Sequence, residues 1–140
     1  MTMAEKLLKL VLYAAGAVCA LGAVALFMPR GWMVLGHEWL GMGAFPSQPV
    51  AEYLARETSG LYAFCGVLFL FLAGDVRRYR RIITLETVAI AFIATTMLIY
   101  GGMPLLWLLG DLVSAGGMCV AVLILQAVIA AEDRRKATRP

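Results

Sequence analysis

Four stretches of this chain are too long and too apolar for ordinary water-facing structure. Leu10 to Met28, Thr58 to Gly74, Ile82 to Met103 and Leu112 to Ala131 run 19, 17, 22 and 20 residues, and Glu86 is the one charged side chain among them. A bilayer core about 30 Å thick is crossed by roughly 20 such residues at 1.5 Å each. In lipid every backbone N–H and C=O must be paired within its own segment, so runs of this kind are helices. The whole composition agrees: 62% of residues are apolar and 15% charged, whereas a soluble domain carries about half and about a quarter. The 17-residue run is short alone, but Pro49 to Arg56 supplies an entering helix, with Pro in the first turn and Glu52 and Arg56 as an i,i+4 pair. The expected fold class is all-α: an integral membrane four-helix bundle in a single domain over 1–140. Its spans lie near 8–28, 58–74, 82–102 and 108–131, with an outer loop over 29–57.

The first run follows Lys6 and Lys9 as a signal peptide would, yet it is too long for that, and Phe27-Met28-Pro29-Arg30 lacks a small-residue cleavage pattern. It reads as a retained helix. Basic residues then set the orientation. Lys6, Lys9, Arg77, Arg78, Arg80, Arg81, Arg134, Arg135, Lys136 and Arg139 fall on one side of a four-span chain, against Arg30 and Arg56 on the other. Both termini are therefore expected on the cytoplasmic side of a bacterial inner membrane. Net charge is only +3, and the cations cluster beside apolar runs, which argues against nucleic acid as a partner.

Gly101-Gly102-Met103-Pro104 ends the third span and turns the chain into an antiparallel hairpin. The outer loop carries Trp32, Leu35, Trp39 and Met42 at helix-like intervals, which suits a segment lying in the interface; Trp107 is a further interfacial anchor. A binding surface formed by this loop over the bundle mouth is the sharper alternative to a structural lid.

Ionisable groups inside a membrane are candidates for function by default. Asp111 has two readings. If the fourth helix begins at Leu105 it lies roughly 10 Å below the surface, level with Thr95 and Thr96; if the helix begins after Gly110, Asp111 is an N-cap at the interface. Glu86 follows Arg81 by five residues. Its plainer reading is an interfacial carboxylate paired with the arginine cluster; its sharper one is a buried contact with Gln126 across the hairpin.

Helices in lipid associate through small residues that admit close backbone approach. Gly16, Ala20 and Ala23 form such a stripe on the first helix, and Gly110, Ser114, Gly117 and Ala121 on the fourth. These two stripes are expected to make the tightest helix contacts.

Several chemistries lack their residues. Cys19, Cys65 and Cys119 have no CxxC spacing and read as small apolar residues. His37 is the one histidine, so a bis-histidine haem within one chain is excluded, and His37 with Glu38 offers too few ligands for a metal. No P-loop, dinucleotide-binding glycine pattern or nucleophile elbow is present. Small multidrug exporters share the size but carry a glutamate in the first helix, and the Leu10 to Met28 run has no charge.

Arg56-x-x-x-Gly60-Leu61-Tyr62, the loop Gly74-Asp75-Val76-Arg77-Arg78-Tyr79-Arg80-Arg81, and Gly102-x-Pro104 followed by an aromatic, all within a four-span layout, resemble the DoxX-like small bacterial membrane proteins. Some members of that group are membrane subunits of quinone-linked redox complexes. The resemblance implies a membrane role of that kind and assigns no residue to a redox or quinone function. The expected function is a non-catalytic accessory or structural subunit, packed in a larger membrane complex or against its own copies. The alternative is small-molecule or proton-coupled transport, or binding of an apolar ligand. Cofactors are unknown at this level.

Overall fold

The computed structural model describes residues 1–100, 109, 110 and 112–138. All regular structure among them is helical: α1 (Met3–Ala20), α2 (Gly22–Leu26), α3 (Arg30–Trp39), α4 (Pro49–Gly74), α5 (Arg80–Tyr100), a π-helical turn (Leu112–Gly116) and α6 (Gly117–Ala137). Among the described residues four stretches are long and apolar enough to cross a membrane: Met3–Leu26, Pro49–Gly74, Arg80–Tyr100 and Val113–Ala137.

Two helices extend beyond the expected bounds, each for a local reason. The first begins at Met3 because Thr2 and Glu5 form a capping box. The Glu5 N–H donates to Thr2 Oγ1 at 3.3 Å, and the Thr2 N–H to Glu5 Oε2 at 2.8 Å. Two otherwise open donors are satisfied, so Glu5, Lys6 and Lys9 are all helical. The last continues past Ala131 to Ala137, where Arg134, Arg135 and Lys136 occupy the final turn and favour the negative end of the helix dipole. Pro49 opens α4, where its missing N–H costs nothing, with Glu52 in the first turn.

The chain forms two compact units, Ala14–Leu70 and Met1–Tyr13 with Phe71–Pro140. In the first, α1 and α2 are joined through Leu21 by i→i−3 bonds, Leu21 N–H to Val18 O at 3.2 Å and Val24 N–H to Leu21 O at 3.0 Å. Pro29, extended at φ −59° and ψ 145°, then stops the span and starts α3. A Schellman closure ends α3: Gly41 N–H donates to Glu38 O at 3.0 Å and Met42 N–H to His37 O at 3.1 Å, with Gly41 at φ 72°. Trp32, Leu35 and Trp39 share one face of α3 and stay exposed, the pattern of an amphipathic interfacial helix.

In the second unit Ala4, Leu8 and Leu12 bury one stripe of α1. α6 packs on α5 through Cys119, Val122, Gln126 and Ile129, spaced by three and four residues; α5 buries Ile83 and Thr87. Large apolar side chains elsewhere, including Leu85, Phe92, Ile93, Ile99 and Tyr100 on α5, are exposed. A face of this extent requires an apolar surrounding.

Candidate functional site

The seam between α5 and α6 carries buried polar groups. Thr84 Oγ1 donates to its own-helix carbonyl Arg80 O and lies 3.0 Å from Gln126 Oε1 across the seam. Gln126 is 4% exposed, and its Nε2 has no hydrogen-bond partner among the described residues. One turn away, the Cys119 thiol faces Thr87 O at 3.5 Å, so this cysteine packs as a small, weakly polar core residue. Arg80 reaches across to Gln126 O at 3.3 Å.

Glu86 departs from both of its expected readings. Its two carboxylate oxygens are buried and hydrogen-bond neither to the arginine cluster nor to Gln126. The cross-seam contact expected for Gln126 is made by Thr84 instead, two residues before Glu86. A shift of two residues turns a helical side chain by about 200°, which explains why depth matching alone chose the wrong partner. Thr95 and Thr96 satisfy their hydroxyls on Ala91 O and Phe92 O of their own helix, at 2.8 and 2.9 Å; Thr95 is exposed and Thr96 half-buried. The structure thus gathers Arg80, Thr84 and Gln126 and leaves Thr95 and Thr96 outside that group. Asp111 and Trp107 lie outside the described residues.

A second polar cluster joins three distant segments of the same unit. Arg77 pairs with Glu5 through Nε and with Asp133 through Nη1 at 2.9 Å. These hydrogen bonds, the one it donates to Glu5 foremost, raise the Arg77 guanidinium above its ordinary pKa. Lys9 Nζ donates to Gly74 O at 2.9 Å, and Asp75 Oδ1 accepts the Arg78 N–H at 3.1 Å. Arg78 lies over the Tyr79 ring, 5.6 Å from its centre. Of the basic residues read as topology markers, Arg77 is therefore an ion-pair hub, while Arg81 makes no side-chain bond among the described residues. Glu5 was missed as a participant, although Thr2-x-x-Glu5 is a legible capping signature.

In the other unit Arg56 closes the end of the first span. Its Nη1 donates to Leu26 O at 2.7 Å and its Nη2 to Met28 O at 3.0 Å, and the same group pairs with Glu52 at 2.8 Å. The last carbonyls of a helix have no partner of their own, and a planar guanidinium answers several at once. Arg30 adds a bond to Glu52 at 3.2 Å and reaches Pro46 O and Ser47 O. The sequence pointed to the Glu52 and Arg56 pair but not to the carbonyls beneath it. His37 Nδ1 lies 2.9 Å from Gly43 O, and its ring meets Phe45 edge-on. It tethers the turn after α3. Among the described residues no group of three or more candidate ligands could hold a metal.

The small-residue stripes part company. A Cβ at Gly66 would stand 2.4 Å from Ala20 N and 2.7 Å from Gly16 O, so α1 and α4 meet backbone to backbone. Gly22 approaches Ser59 O in the same way, at 2.7 Å. The partner stripe on α4, Ser59, Ala63 and Gly66, was not anticipated, though its spacing of four and three residues is readable. On the fourth span Gly110 and Gly117 have no described atom within 4 Å of a Cβ, and Ser114 bonds only back to Gly110 O. The expected tight contact on that helix is not made within the described residues.

No family model matches this chain, and no curated protein or solved structure matches it.

Proposed function

We propose that this chain is a non-catalytic integral membrane protein, an accessory or structural subunit that packs in a larger membrane complex or against its own copies. The observation that carries the reading is the contrast between its two small-residue faces. Gly16 and Ala20 close on Gly66 within the chain, whereas Gly110 and Gly117 meet no described atom. In lipid such a face is valuable mainly as a seat for another helix. The resemblance to DoxX-like proteins and the lack of a sequence motif for an independent reaction point the same way. The proposed setting is a bacterial inner membrane with both termini cytoplasmic. The cluster of Glu5, Arg77 and Asp133 supports it, since it joins the N-terminal segment, the arginine-rich loop and the end of α6.

Gly117→Leu tests this reading. The variant keeps the helical content of the parent, because the site is open, but loses the co-purifying assembly after gentle extraction and cross-linking. A parent that runs as a lone monomer with no cross-linked partner refutes it.

A second reading, transport or ligand binding, is favoured by one observation, the buried Glu86 carboxylate with no hydrogen-bond partner. Glu86→Gln then abolishes flux or binding; unchanged behaviour removes this alternative.

A further inference from the structure

The arginine-rich end of the α5–α6 pair contains a groove that shares Arg80 with the Thr84 and Gln126 seam. It has a volume of about 470 Å³ and is lined by Arg80 from α5 and by Ala127, Ala130, Ala131 and Arg134 from α6. Ala130, Ala131 and Arg134 follow Ala127 by three, four and seven positions, so the four form one helix face. Alanine at three of them leaves the floor shallow and apolar, and an arginine stands at either side. We propose that this groove binds the phosphate of an anionic phospholipid.

Three features carry the assignment. First, both guanidiniums are available. Among the described residues neither Arg80 nor Arg134 takes part in an ion pair, while the neighbouring Asp133 is held by Arg77. Glu132, next to Ala131 in the chain, has a buried Oε2 with no hydrogen-bond partner among the described residues. Second, Arg80 is aimed. Its Nη2 is fixed on Gln126 O at 3.3 Å, one residue before the first alanine of the floor, which leaves the rest of the fork for a second acceptor. Arginine suits phosphate because its planar donors meet two oxygens together. Third, the groove lies where a lipid phosphate would be. Arg80 is the first residue of the third candidate span, and Arg134 stands three residues before the last of the fourth. Basic pockets between membrane helices at such a boundary are suited to anionic headgroups, and the alanine floor offers an acyl chain an apolar path. An acidic segment of a partner protein would satisfy the charges but has no use for that floor.

The site rests on the membrane reading and is independent of the subunit reading, so a monomeric chain could still hold the lipid. The test uses the full chain in a neutral detergent, with phosphatidylglycerol or phosphatidylcholine added and bound lipid counted by native mass spectrometry. Phosphatidylglycerol is retained preferentially. Arg80→Gln with Arg134→Gln lowers its retention about tenfold or more, as expected for losing charge-assisted bonds. The matched pair Arg81→Gln with Arg135→Gln removes the same charge outside the groove and lowers it less than about threefold. Ala131→Leu keeps every charge but fills the floor, and it also loses the lipid. Circular dichroism verifies that each variant retains its helix. Equal losses in the two arginine pairs, full retention by Ala131→Leu, or no preference between the two lipids overturns the proposal. Inorganic phosphate that displaces the lipid completely and binds as tightly by itself overturns the lipid assignment, as does displacement achieved only by an acidic peptide.

Discussion

Replacing Gly66 with alanine adds one methyl group at the tightest glycine contact among the described residues. That Cβ would lie 2.4 Å from Ala20 N, 2.7 Å from Gly16 O and 2.9 Å from Ala20 Cα. All three obstacles are backbone atoms, so no side chain can rotate aside. The two helices must separate by a large part of an ångström, and a gap of about 0.5–1 Å forfeits a quarter to a half of each dispersion contact along the crossing. Overpacking costs about 3 kcal/mol at the upper end of its usual range. The gain in helix propensity on leaving glycine returns about 1 kcal/mol. The net expectation is a loss of about 2 kcal/mol, measured by reversible unfolding of the purified chain in mixed micelles. Gly60→Ala is the internal standard. Its Cβ meets only Leu26 Cδ1 at 3.6 Å, so propensity prevails and stability holds or rises slightly. Gly22→Ala falls near Gly66→Ala, and Gly16→Ala between it and Gly60→Ala, because Leu70 supplies two of the three close atoms at Gly16 and can give way. Equal shifts for Gly66→Ala and Gly60→Ala would refute the close backbone contact.

Three further predictions use the same preparation or intact cells. Gln126→Leu is neutral or stabilises by up to about 1 kcal/mol, because an unpaired amide nitrogen leaves the seam and Thr84 keeps its bond to Arg80 O; a loss above about 2 kcal/mol would mean the amide is satisfied. Arg56→Met destabilises by about 2 kcal/mol by freeing Leu26 O and Met28 O, and Arg56→Lys recovers less than half of that, since an ammonium lacks the fork; unfolding curves for both variants decide it. With Cys19, Cys65 and Cys119 replaced, a cysteine at Trp39 is labelled by an impermeant maleimide added to intact cells and one at Tyr79 is not; labelling at 79 reverses the proposed orientation.

How much of this was legible depends on the length scale of each cause. The four apolar runs, the helix from Pro49, the exposed apolar face of Trp32, Leu35 and Trp39, and the Glu52 and Arg56 pair depend on periodicity along a single segment, and the sequence carries that directly. The capping box at Thr2 and Glu5 is equally local, since Thr2-x-x-Glu5 spells it in four consecutive residues. Partner choice across helices is another matter. Gln126 bonds Thr84 rather than Glu86 because the rotation of each helix about its axis decides who faces whom, and two residues of offset reverse the answer. Likewise a stripe of small residues reveals that a helix can be approached closely but not by what: the stripe on α1 found Gly66, and the one around Gly117 found nothing among the described residues. Arg56 illustrates the limit best. Its role depends on carbonyls 30 and 28 positions away, which no local pattern encodes.

That arginine also imposes an order on biogenesis. The first span leaves the ribosome about 30 residues ahead of the group that completes its exposed end. At about 5–20 residues per second, that is a delay of roughly 2–6 seconds. Until then Leu26 O and Met28 O are without that guanidinium, so the end of the first apolar stretch is completed only after residue 56 has been made. A chain truncated ahead of residue 56 would leave Leu26 O and Met28 O without the group that answers them both.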